Sequence, residues 1–148
     1  MTHPFIAHLL KDHEDQRQFA TQLAEAETPE DIKRLRQALY DALYPHIEGE
    51  DASIFNYLKT SGDEARKGAL EAMEEHHVDR ILLSELMEMD LADEKLLAKA
   101  KVLKEVNHHH LDEEEEEHFP RLEALASESE LDDLFKKYEA AEEEFKAD

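Results

Sequence analysis

The chain has 148 residues, of which 39 are acidic and 17 basic, giving a formal net charge of −22. That length fits a single domain with one substantial core, and the charge repels nucleic acid and anionic membrane surfaces. Three glycines and four prolines are too few for the turns of an all-β fold, and the absence of cysteine excludes disulfides, thiolate metal sites and a cysteine nucleophile.

In the first segment, Phe5, Ile6, Leu9, Leu10, His13, Phe19, Ala20 and Leu23 share a helical face, with Lys11, Asp12, Glu14 and Arg17 mostly outside it. No basic stretch followed by an apolar run and a cleavage site opens the chain between Met1 and Lys11, and no apolar run approaches the ~20 residues of a membrane span. The expected compartment is the cytoplasm. Thr28-Pro29-Glu30-Asp31 reads as a helix cap with proline at the first helical position. The second helix runs from there to about Lys59 through Ile32, Leu35, Leu39, Leu43, His46, Ile54, Phe55 and Leu58. Pro45 predicts a kink or local break beside His46.

Ser61-Gly62-Asp63 marks the next boundary. The third helix carries Ala69, Ala72, Met73, His76, Leu82, Leu83 and Leu86, and ends near Asp90. The fourth begins around Asp93 and carries Leu96, Leu97, Ala100, Leu103, Val106 or Asn107, His110 and Phe119, with Pro120 bending or ending it. A last helix over about 130–146 has Leu131, Leu134, Phe135 and Tyr138 as its packing stripe. Short connections between long helices predict an all-α fold, an up-down-up-down antiparallel four-helix bundle over about 3–126 within one domain of 1–148. The short additional C-terminal helix is expected to cap one end or lie along the side.

An internal repeat singles out the chemistry. His46 to Leu58 reads HIEGEDASIFNYL and His110 to Leu122 reads HLDEEEEEHFPRL, so His46, Glu50, Phe55 and Leu58 match His110, Glu114, Phe119 and Leu122 at an offset of 64. The first and third helices show a looser echo around His13 and His76. The even helices therefore each offer His-x-x-x-Glu on one face, and the odd ones each offer a histidine in the apolar stripe. Burying four histidines and two carboxylates unliganded is costly, and imidazole with carboxylate is what iron, manganese, zinc or nickel takes. Carboxylates from facing helices can bridge two cations.

Some positions stay open on this reading. His77, which shares a face with Ser84 and Glu88, competes with His76. In the run His108-His109-His110, a five-residue spacing would pair His109 with Glu114 or His110 with Glu115. His118 takes the place of Ile54 in the repeat and reads as a packing or rim residue. Most of Glu113 to Glu117 reads as a solvated face. The methionines Met73, Met87 and Met89 read as core fillers. Tyr40, Tyr44 and Tyr57 are packing residues that could bring a hydroxyl near the site.

The ordered set His13, His46-x-x-x-Glu50, His76, His110-x-x-x-Glu114 resembles the hemerythrin-like HHE cation-binding domain family over roughly Ile6 to Ala124. The resemblance implies a non-haem di-iron site, two iron ions bridged by oxide or hydroxide, with His13, His46, His76 and His110 as terminal ligands and Glu50 and Glu114 as bridges. Manganese or zinc would fit the same donors. It implies that the partner is O2 or another small diatomic or peroxide ligand, bound or sensed. The competing functions are an enzyme acting on peroxide or nitric oxide, an iron-holding protein, and a metal-free helical interaction domain. The pattern departs from hemerythrin proper in the third helix, where Ala72 and Arg80 stand four residues either side of His76 and the second histidine of His-x-x-x-His is missing. Of about twelve coordination positions on two six-coordinate ions, about two stay open, which favours sensing, oxidation chemistry or iron holding over clean O2 carriage. Neither composition nor pattern selects an oligomeric state.

Overall fold

Three of the long helices begin where a side chain accepts from their free N–H groups. The computed structural model describes residues 2–146, and among them there are only helices, turns and short connections. Helix α1 (Pro4–Ala24) starts with Pro4 at its first position, and His3 Nδ1 accepts from the Phe5 N–H at 3.0 Å. Helix α2 (Pro29–Glu50) starts on Thr28, whose Oγ1 accepts from the Asp31 N–H at 3.1 Å. Helix α3 (Asp63–Glu88) is entered through Gly62 at φ +105°, a conformation that favours glycine. Helix α5 (Glu128–Lys146) starts with a capping box: the Glu130 N–H donates to Ser127 Oγ at 3.1 Å, and the Ser127 N–H donates to Glu130 Oε1 at 2.9 Å.

Helix α4 (Leu96–Glu113) starts three residues later than the apolar pattern suggested. Asp90 Oδ1 and Asp93 Oδ1 accept from the Ala92 and Lys95 N–H groups at 2.9 and 2.8 Å, and these side-chain turns compete with the helix. Neither interior proline ends its helix. Helix α2 runs through Pro45 without a break, and its irregularity follows Glu50 as a widened π-turn, Asp51–Phe55, before a last turn at Asn56–Leu58. Helix α4 repeats this with a π-turn at Glu114–His118, then continues as Phe119–Leu125, so Pro120 does not end it. A π-turn already interrupts the regular ladder, and a residue without an N–H is tolerated in the turn that follows.

The π-turns also re-aim side chains. At 100° per residue, Phe55 would lie about 180° round the helix from His46; one extra residue in the turn brings it within about 80°. Phe55 and Phe119 are both buried as a result.

Helix α1 packs on α2 and α4, α2 packs on α3, and α3 packs on α4. Rising residue numbers on one partner meet falling numbers on the next. Arg36 Nη1 caps the end of α3 by donating to Leu86 O and Met89 O at 3.1 and 2.7 Å, while Arg80 donates to Glu48 at 2.8 Å. Between α3 and α4, Glu85 meets Lys99 at 3.0 Å and Glu75 meets His110 at 2.7 Å. Helix α5 lies along α2 and its π-turn, with Phe135 stacked on Phe5 at 5.1 Å.

Two apolar clusters result. One holds Phe5, Leu9, Ile54, Phe55, Ala69, Ala72, Phe119 and Tyr138; the other holds Leu23, Leu39, Leu43, Leu83, Leu86 and Leu103. Between them lies a layer of buried polar groups. Among the described residues no helix is long and apolar enough to cross a membrane.

Candidate metal centre

The buried layer collects one histidine from each of α1, α2, α3 and α4, and one glutamate from each of α2 and α4. His13, His46, Glu50 and Glu114 form one quartet whose donor atoms lie within 4.8 Å of one another; Glu50, His76, His110 and Glu114 form a second. All six side chains are at most 2 % exposed. The two glutamates belong to both quartets, and their oxygens are divided between them. Glu50 Oε2 lies 3.1 Å from His46 Nε2, and Glu50 Oε1 lies 3.1 Å from His76 Nε2. Glu114 Oε1 lies 2.9 Å from His13 Nε2, and Glu114 Oε2 lies 2.5 Å from His110 Nε2.

The alternatives left open by spacing separate here. His77 and His109 are exposed, and His109 pairs with Glu113 at 2.8 Å instead of facing the cluster. Glu115 is half-buried and holds a ring: its Oε2 lies 2.7 Å from His13 Nδ1. His118 is buried against Phe55, ring centroids 5.5 Å apart, in keeping with a packing residue. Tyr40 and Tyr44 stack on each other at 5.3 Å, and the Tyr57 hydroxyl donates to Leu125 O at 3.3 Å, so none of these three hydroxyls joins the cluster.

Every imidazole is held through Nδ1 by a carboxylate, which turns Nε2 inward. Asp51 Oδ1 lies 2.7 Å from His76 Nδ1, Glu75 Oε1 lies 2.7 Å from His110 Nδ1, and Asp12 Oδ2 lies 3.1 Å from His46 Nδ1. Arginines pin two of these carboxylates. Arg17 donates to Glu115 at 2.7 Å and Arg80 to Asp51 at 2.6 Å. The supports repeat with the sequence: Asp12, His13 and Arg17 of α1 correspond to Glu75, His76 and Arg80 of α3. Histidines held this way by carboxylates are the usual support of metal-binding imidazoles.

The sequence pattern did not pick out Asp12, Asp51 and Glu75, because they look like ordinary solvated charges beside the histidines. Tyr138 was visible only as part of a packing stripe. Its hydroxyl donates to Asp12 Oδ2 at 2.6 Å and lies 2.7 Å from His46 Nδ1, and its ring covers Gly49. The signal that could have found the carboxylates is position: each directly precedes or follows one of the six central residues.

Electrostatics in the metal-free cluster set protons against burial. Burial opposes charge on the imidazoles, but the surrounding carboxylates outweigh it, lifting His46 and His110 to about 9 and His13 and His76 well above their ordinary value. Burial and the facing Glu114 push Glu50 up, yet His46 and His13 pull it down to about 2. Burial lifts Asp79, one turn beyond His76, to about 7.

The donor set fits metal better than protons. His13 Nε2, His46 Nε2, both Glu50 oxygens and Glu114 Oε1 are buried without a hydrogen-bond partner. Nitrogens and oxygens about 2.1 Å from one ion at right angles would stand about 3.0 Å apart, close to the spacing of His13 from Glu114 and of His46 and His76 from Glu50. A surface groove of about 480 Å³ is lined by Tyr40, Tyr44, Arg80, Leu83 and Met87. Arg80 links it to Asp51.

Comparison with known proteins gives the same reading. The family model described as Hemerythrin HHE cation binding domain matches residues 5–122. No curated protein matches the chain with significant similarity.

Proposed function

Because this chain belongs to the hemerythrin HHE cation-binding family, we propose that it is a non-haem di-iron protein that binds or senses O2 or a related small oxidant. The observation that carries the proposal is the division of oxygens in Glu50 and Glu114, each carboxylate offering one oxygen to the His13–His46 pair and one to the His76–His110 pair. His13 and His46 would hold one ion, His76 and His110 the other, and the two glutamates both. The four long helices in up-down-up-down order are part of this reading, supported by the opposed numbering of their cross-helix pairs. When bound, the ions supply a redox-active Lewis-acid centre for a small oxidant.

The chain's own residues prepare the site. Asp12, Asp51, Glu75 and Glu115 hold the Nδ1 protons and keep each Nε2 lone pair directed at the cluster. Phe119 stacks on His13 at 5.4 Å and Phe55 meets His76 at 5.5 Å, excluding water from one side. Ala72 lies in an apolar cluster and Arg80 is bonded to Glu48 and Asp51, so neither position supplies a fifth nitrogen donor. That favours sensing or oxidation chemistry over simple carriage. Manganese or zinc would accept the same donors, and supply decides among them.

The test is metal analysis. Protein made in iron-replete cells should carry about two irons per chain, and His46→Ala and Glu50→Ala should each lose metal. Unchanged metal content in both variants would sink the assignment.

A further inference from the structure

We propose that Gln16, Asp79 and Asn107 form a polar subsite on one side of the metal cluster, which takes a small protic ligand of the class of hydrogen peroxide in preference to an aprotic diatomic. This rests on the metal reading above and refines its ligand.

The three residues lie on one side of the cluster. Along α4 the order is Asn107, His110, Glu114, so Asn107 and Glu114 flank the histidine from opposite directions. Asn107 Nδ2 donates to Gln16 Oε1 at 3.1 Å, which places Gln16 of α1 at the same level. Asp79 follows His76 by three residues on α3, which runs against α4, and so falls on the Asn107 side. The opposite side is closed by Phe55 and Phe119, the side from which the carboxylates of Glu50 and Glu114 enter.

These three side chains are at most 1 % exposed, and four of their polar atoms have no partner: Gln16 Nε2, Asn107 Oδ1 and both oxygens of Asp79. Buried polar atoms are rarely left so, because each costs roughly 1–3 kcal/mol. One turn further from the cluster the layer is apolar, with Ala20, Leu39, Leu83 and Leu103 all buried. The polar layer is therefore enclosed between the cluster and this apolar layer.

The internal repeat shows why the atoms are unmatched. Gln16 and Asp79 occupy corresponding positions three residues after His13 and His76, and Leu43 and Asn107 stand three before His46 and His110. Gln16 bonds Asn107; the corresponding neighbour of Asp79 is Leu43, which has nothing to bond. Packing alone would be served by an apolar residue at position 79.

The free atoms comprise one amide donor and the acceptors of Asn107 and Asp79. Hydrogen peroxide brings two O–H donors and lone pairs to accept the amide. O2 and nitric oxide have no proton to offer these acceptors, so the subsite discriminates against them.

The test compares two probes on metal-loaded protein: hydrogen peroxide, read as half-saturating concentration, and nitric oxide, read as the dissociation constant from the absorbance of the reduced protein. Asp79→Leu should retain its metal, raise the peroxide value at least about tenfold, the equivalent of one lost hydrogen bond, and leave the nitric-oxide constant within about twofold. Gln16→Leu combined with Asn107→Leu, which removes both partners of a buried bond together, should shift the same ratio and serves if Asp79→Leu does not fold. Full metal content with both probes unchanged, or moved by one common factor, overturns the subsite alone. Wild-type protein that takes up no metal overturns the metal reading and the subsite with it.

Discussion

Gly49→Ala should destabilise the protein, although the substitution improves helix propensity. In an open helix interior, alanine gains about 1 kcal/mol over glycine. At Gly49, however, a Cβ would stand 2.6 and 2.7 Å from Cδ2 and Cε2 of Tyr138 and 3.2 Å from its Cγ. The ring cannot swing aside freely. It packs on Phe5 with centroids 5.6 Å apart, and its hydroxyl bonds Asp12. Overpacking costs about 1–3 kcal/mol, and losing a hydrogen bond to a charged group costs about 1.5–3 kcal/mol more if the ring is displaced. Against the propensity gain, the net loss is about 2 kcal/mol, a fall in melting temperature of about 4–8 °C for a chain of this size. Thermal unfolding followed by circular dichroism measures it. In a Tyr138→Ala background the obstacle is gone, and Gly49→Ala should then stabilise by about 0.5–1 kcal/mol. A higher melting temperature for Gly49→Ala in the wild-type background would refute the close packing of α5 against α2.

Removing the charge that holds one imidazole should weaken metal binding without emptying the site. Asp51→Asn and Glu115→Gln occupy equivalent places in the repeat, and each should lower metal affinity about 10–100-fold in a chelator competition; a much larger effect in one than the other would contradict their equivalence. Metal-free and metal-loaded protein should respond oppositely to pH. In the metal-free fold, carboxylates raise His46 and His110 from 6.5 to about 9 despite burial. Their stabilising contribution is full below pH 6.5 and is lost as pH rises through 9, whereas metal needs neutral imidazole and binds better as pH rises. Melting temperatures of both forms between pH 6 and about 9 should therefore diverge, and parallel curves would count against protons and metal sharing these histidines. Thr28→Ala, which removes the α2 cap, should cost about 1 kcal/mol in either form by the same melts.

The helices and the six central residues were legible because both follow from periodicity. Apolar residues at helical spacing mark a buried stripe, and a histidine or glutamate within such a stripe needs a partner the stripe cannot supply. His46 and Glu50 lie one turn apart, and the same spacing recurs at His110 and Glu114. The family match covers residues 5–122, the span over which the ordered histidines and glutamates lie.

What the pattern could not order was decided by contacts between helices. His76 and His77, or His109 and His110, differ by 100° of rotation, less than the width of an apolar stripe, and only packing fixed which of each pair is buried. The π-turns at Asp51–Phe55 and Glu114–His118 carry no sequence signal of their own, and Pro45 and Pro120, which pointed to a kink or break and to a bend or end, do not end their helices. Asp12, Asp51 and Glu75 read as surface charges because nothing local shows that a histidine from another helix lies against them. The nearness of Asp79 and Tyr138 to the cluster was hidden for the same reason. The sequence by itself determined a helical chain with inward histidines and glutamates, because periodicity is a property of one helix. Which carboxylate faces which ring, and where a polar group is left without a partner, depends on how separate helices meet.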